Sequence, residues 1–192
     1  MSQFEFIFSL YSLLLGFSLV ELLSGLGRTL KLRLQVEASA HSAVRIGWLT
    51  PLLGLFVMLD LLSFWSSAWV VRNQLSVSGL TLMATMLFAS AYYLAAHLVF
   101  PDDPAKHSDL DAHYFKVRRV VFAVLFVLLL VQLVFYALTP ELAVRLSSPR
   151  FVVWTAILVV LMGAALLVKS KRLNLLVLIA LNLRYVSTYV LY

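Results

Sequence analysis

Four ionisable residues lie inside apolar stretches of this 192-residue chain: Glu21, Asp60, His97 and Arg184. A charged side chain at the centre of a bilayer costs roughly 2.5 to 3.5 kcal/mol, so each calls for a partner, a water-filled cavity or a route to the surface. Glutamate and histidine are the residue types of a proton relay or a cation site, because imidazole titrates near neutrality and a carboxyl holds its proton more tightly when buried. Aspartate and arginine at one depth can instead neutralise each other.

Depth is countable at about 1.5 Å per helical residue. Asp60, Arg184 and Gln132 fall about 16 to 20 Å from one boundary, near mid-membrane, whereas Glu21 and His97 fall about 10 and 6 Å inside the same boundary. The expectation is an Asp60–Arg184 ion pair assisted by Gln132, with a second layer formed by Glu21 and His97. Tyr93 shares the helical face of His97, as Ser18, Gly25 and Arg28 share that of Glu21. A purely structural role competes at every position. The pair can simply specify helix packing, Arg184 can snorkel outward, and Glu21 can be satisfied by Arg28 or His97.

A third group, Asp109, Asp111 and His113 within the stretch HSDLDAH, has the ligand types of a divalent-metal site. Its i, i+2 carboxylates should point apart on a helix, which favours a solvated turn paired with Lys116, Arg118 and Arg119.

The elements that must hold these residues are six apolar runs, at about 4–27, 47–70, 77–100, 119–138, 151–168 and 173–191. With 62% hydrophobic and 12% charged residues, a soluble domain would expose large apolar patches. The fold class expected is therefore all-α, a polytopic membrane protein with one six-helix transmembrane bundle. Between the runs, Leu30, Leu32, Leu34 and Val36 alternate with polar residues, so part of that connection is expected along the membrane surface. The fourth and fifth runs are the most aliphatic and read as framework facing lipid or another subunit.

Eleven of the lysines and arginines sit in the first, third and fifth connections and three in the second and fourth, which places the former in the cytoplasm and both termini outside. Most aromatic residues, Tyr114 and Tyr185 among them, read as interfacial belts. The net charge of +6 is accounted for by this topology and gives no reason to expect nucleic acid.

No cysteine is present, so thiolate metal sites and disulfides are excluded. No lysine lies in a membrane run, and there is no HExxH, glycine-flanked serine, paired intramembrane aspartate, ATP-binding loop or potassium filter. Neither an enzymatic reaction nor a cofactor is expected. The expected function is an inner-membrane channel or transporter for an ion or small solute, proton-coupled, with its path on the first, second, third and sixth runs. The alternative is a non-catalytic subunit or scaffold whose buried charges fix the fold. Its partners would be the bilayer and either further copies of the chain or another membrane subunit.

Overall fold

The computed structural model describes residues 2–38, 47–104 and 109–190. Among these are seven helices and no strand: α1 (Gln3–Ala38), α2 (Leu49–Val70), α3 (Gly79–Val99), α4 (Leu110–Leu138), α5 (Pro140–Leu146), α6 (Pro149–Leu167) and α7 (Lys171–Val190). All but α5 are long and apolar enough to cross a membrane. The chain is an all-α polytopic membrane protein.

Local chemistry sets the helix starts. Ser2 and Glu5 form a reciprocal capping box, with the Ser2 N–H donating to the Glu5 carboxylate at 2.7 Å and the Glu5 N–H to Ser2 Oγ at 3.2 Å. Ser78 and Asp109 cap α3 and α4, accepting from Thr81 and Asp111 N–H at 3.1 and 2.8 Å. Pro140 and Pro149 open α5 and α6, where a missing N–H costs nothing. The start of α2 is capped from a distance: Leu49 N–H donates to Asp111 Oδ1 at 3.2 Å, and Thr50 Oγ1 to the Leu110 carbonyl at 2.7 Å.

Three boundaries differ from the sequence expectation. Helix α1 continues to Ala38 because nothing after Gly27 breaks it, so the alternating stretch from Leu30 is helical and not a separate surface segment; at about 1.5 Å per residue its 36 residues exceed a hydrocarbon core of about 30 Å. Helix α4 begins at Leu110, nine residues before the expected 119, which brings Arg118 into the bundle. The short α5 fills the expected fourth connection. His41, Arg45, Lys106, His107 and Tyr192 lie outside the described residues.

Helix α1 packs on α3 and α2, α2 on α7 and α4, and α6 on α7 and α4. Phe100, just past α3, wedges between α1 and α2 at two glycines: a Cβ on Gly25 or Gly54 would collide with its ring. The core is Leu, Phe and Ala, among them Leu15, Leu53, Phe56, Ala95, Phe122 and Leu181. Helix α6 buries little beyond Leu158, Met162 and Ala165, whereas α4 buries one face from Leu110 through Tyr114, Arg118, Phe122 and Leu125 to Tyr136.

The two ends of the bundle differ in charge. Among described residues, Arg28, Lys31, Arg33, Lys116, Arg119, Lys169, Lys171 and Arg172 gather at the end where α1 finishes and α7 starts, with Arg118 buried just inside. The opposite end carries only Arg72, Arg145 and Arg150.

Candidate functional site

Asp60 sits at mid-bundle, 5% exposed, where α2, α3 and α7 meet. Its carboxyl accepts a hydrogen bond from Tyr185 of α7 and lies 3.2 Å from the Tyr92 hydroxyl of α3. Both tyrosines are buried. The expected ion pair with Arg184 is not made. Residues 184 and 185 point about 100° apart around α7, so when Tyr185 faces Asp60 the guanidinium faces α6, donating to the Trp154 carbonyl at 3.1 Å and lying 4.5 Å from the Tyr185 ring centre. Gln132 does not assist either group; its amide donates to Tyr136 one turn on, at 3.1 Å.

Hydrogen counting sharpens the Asp60 site. The Tyr92 hydroxyl lies 2.7 Å from the Val57 carbonyl as well as 3.2 Å from Asp60 Oδ2, yet it has one hydrogen to give. A proton on Asp60 Oδ2 completes the set: the acid donates to Tyr92, Tyr92 to Val57, and Tyr185 to Oδ1. Without that proton the single Tyr92 hydrogen goes to Oδ2 or to the Val57 carbonyl, which also accepts a backbone N–H within α2, and Tyr185 still serves Oδ1, so the set has room for a proton without requiring one.

Glu21 and His97 do meet. Their side chains are 3.2 Å apart, Arg28 approaches Glu21 at 3.8 Å, and the Tyr93 ring stacks on His97. This group faces outward, with Glu21 25% and His97 45% exposed, and it is not continuous with Asp60. Leu53, Phe56, Val57, Val99 and Phe122 fill the interior on the basic side of Asp60. The two groups sit at different levels of the bundle, and among the described residues no side-chain hydrogen bond links them.

Asp109 and Asp111 converge where divergence was expected. Because Asp109 is the cap and Asp111 the first turn of α4, both reach Lys171, at 2.7 and 3.8 Å. Lys171 thus replaces Lys116, Arg118 and Arg119 as their partner, and His113 turns to the Leu98 carbonyl at 3.3 Å. No group of three His, Cys, Asp or Glu able to hold a metal occurs among the described residues. Burial alone would raise the Asp109 carboxyl, but the Lys171 ammonium and the Asp111 N–H hold it below the usual carboxylate range.

A second buried polar junction was not anticipated. Arg118, 4% exposed, donates to the Ala165 and Val168 carbonyls at 2.7 and 2.6 Å and to Asn174 Oδ1 at 3.1 Å; Tyr114 donates to the same oxygen at 2.8 Å. The group ties α4 to α6 and α7. Eight residues along α7, Asn182 donates to the Leu52 carbonyl of α2 at 3.1 Å. The two asparagines at this spacing share a helical face with Leu178 and Tyr185, which was the available signal. Tyr114 and Tyr185 are core residues and not belt residues.

Toward the opposite end a cavity of about 380 Å³ opens between α1, α2, α3 and α4. Phe64, Phe88, Phe135, Ala84 and Ile7 make it mainly apolar, while Gln74, Thr85 and Gln132 add polar groups. Its floor is aromatic. Tyr11 packs on Phe88, Phe88 on Phe64, and Phe64 on Tyr92, with ring centres 6.4, 5.2 and 5.7 Å apart. Asp60 therefore lies two rings beneath the cavity, behind Phe64 and Tyr92. No family model matches this sequence, and searches of curated proteins and of solved structures return no match.

Proposed function

We propose that this protein is a proton-linked carrier of a small amphiphilic solute in the cytoplasmic (inner) membrane. The observation that carries the reading is the apolar cavity whose aromatic floor packs on Tyr92, itself hydrogen-bonded to a buried aspartate with room in its hydrogen-bond set for a proton. Its volume and lining fit a small-molecule site, for which about 300 to 1,000 Å³ and a few polar groups are typical. A solute is favoured over a free ion because the cavity is largely apolar and the bundle is packed on the basic side of Asp60.

The charge difference between the ends supports an orientation with the basic end in the cytoplasm and the cavity and both termini outward. The solute enters laterally or from the outer surface, past Ser76 and Leu80. Pressure on Phe64 or Phe88 moves Tyr92, and Tyr92 is what the Asp60 proton is bonded to. Release inward requires α2 and α7 to part at Asp60, where loss of the proton removes one of the bonds that hold α3 to α2. Glu21 and His97 then serve as a surface polar pair near the inner boundary.

Proteoliposomes containing an entrapped pH dye test this. Under an inward proton gradient, a cationic, a neutral and an anionic single-chain amphiphile are supplied in turn at sublytic concentration. At least one should accelerate acidification over protein-free vesicles, and Asp60→Asn should abolish the increment while the protein remains folded. Silence with all three overturns the carrier reading and favours the subunit role, for which the network joining α2, α3, α4, α6 and α7 is the supporting observation.

A further inference from the structure

We propose that the cavity takes an uncharged molecule with an apolar body and a head that both donates and accepts a hydrogen bond, a hydroxyl or an amide. The proposal rests on reading the cavity as a loading site. It adds the charge and the head chemistry of what is loaded.

The first support is the electrical neutrality of the walls. Among the described residues that line the cavity there is no Asp, Glu, Lys, Arg or His. An ion entering it would give up water and meet no counter-charge, which apolar surroundings penalise heavily. Arg72 and Glu5 line a separate recess, where their charges offset each other. The Asp60 carboxyl is shut off behind Phe64 and Tyr92. Nor do the floor rings make a cage for a cation, which binds over an open ring face. Phe88 meets Phe64 edge to face and tilts on Tyr11, so these rings pack on one another.

The second is a set of polar groups brought to one level by three helices. Tyr11 lies eight residues past the start of α1, Thr85 six past the start of α3, and Gln132 six before the end of α4. All three therefore sit about 9 to 12 Å inside the end of the bundle opposite the basic one, and all three line the cavity. The Gln132 amide nitrogen is used on Tyr136 at 3.1 Å. Its Oε1 and the Tyr11 and Thr85 hydroxyls make no hydrogen bond among the described residues, and none of them is closed off as Gln74 Oε1 is. The set offers two hydroxyl donors and one carbonyl acceptor. A hydrocarbon chain would leave all three unserved, whereas a hydroxyl or amide head accepts from a hydroxyl and donates to Oε1. Apolar walls with a few placed polar groups are the make-up of a site that orients a small molecule.

The test uses the full chain in phosphatidylcholine nanodiscs, photolysed with monodecanoylglycerol carrying a diazirine in its chain. Adducts are expected on Thr85, Phe88 or Phe135. Unlabelled monodecanoylglycerol should compete, while decyltrimethylammonium and decyl sulfate, the same chain with either charge, should need at least about tenfold higher concentration. Thr85→Val and Gln132→Leu, which keep bulk at half-buried positions, should each weaken the uncharged competitor by about threefold or more with the unfolding midpoint unchanged. A charged competitor that matches the uncharged one overturns the proposal, and that comparison is made on the native chain. Wild-type competition in both variants would overturn it too, as would adducts spread equally over the outer face of α6, at Val152 and Val160, the mark of annular lipid. Adducts in the cavity without proton movement in the flux assay would sustain the site and reject the carrier; flux driven only by a charged amphiphile would sustain the carrier and reject the uncharged load.

Discussion

At the scale of single residues, a buried acid in this bundle is served by phenols and not by a guanidinium. Tyr185 donates to Asp60 and Tyr92 shares a hydrogen bond with it, two neutral partners from two helices that solvate Asp60 without a paired guanidinium and so avoid the desolvation of a full ion pair. Removing one donor should be felt. Tyr185→Phe is expected to lower stability by about 1 to 2 kcal/mol, read as a fall in the thermal unfolding midpoint in detergent; Asp60→Asn, which keeps an acceptor and gains donors, should fall less than Asp60→Leu. Equal midpoints for wild type and Tyr185→Phe would show that the bond contributes nothing. The sequence made Asp60 stand out by its type and depth. Its partner was not legible, because depth counting gives position along α7 but not azimuth, and Arg184 and Tyr185 share a depth while facing different helices.

At the scale of elements, polar residues staple helix to helix at three levels: Asp111 and Lys171 at the basic end, Arg118 and Asn174 just inside it, and Asp60 near the middle. The outermost staple responds to pH. Lys171 and the Asp111 N–H hold the Asp109 carboxyl below its ordinary value, so its contribution is fully present above the unfolded value near about 4 and is lost as pH falls through the lower folded value. The Lys171 and Asp109 side chains are 55% and 27% exposed, so solvent screening keeps the contribution below about 1 kcal/mol. Asp109→Asn retains the cap but not the charge. Its unfolding midpoint should lie slightly below that of wild type at neutral pH and converge with it below about pH 4, and a gap that persists in acid would contradict the assignment. The spans themselves were legible, since only long apolar helices satisfy their backbone in lipid. The early start of α4 and the long α1 were not, because charged residues that mark the end of an apolar run need not mark the end of a helix.

At the scale of the whole molecule, the fold sets apart two polar groups that the sequence reading assigns to one path. The outward-facing Glu21–His97 pair and the central Asp60 site are divided by packed side chains, and the cavity lies on the far side of Asp60 from both that pair and the basic end. No run of sequence could disclose the cavity, because its walls come from four helices and the segment after α2. Orientation is testable directly, as the chain has no cysteine. A single cysteine at Lys31 should react with an impermeant maleimide only in inside-out vesicles, and one at Arg145 only in right-side-out cells; the opposite pattern would turn the cavity towards the cytoplasm.

The central claim is that loading the cavity is felt at the Asp60 proton, and infrared difference spectroscopy reports it most directly. Spectra taken before and after adding each of the three amphiphiles should contain, for at least one, a shift or loss in the carbonyl band of a protonated carboxylic acid that is absent from Asp60→Asn. A wild-type spectrum without such a band, or one that no amphiphile changes, would contradict it.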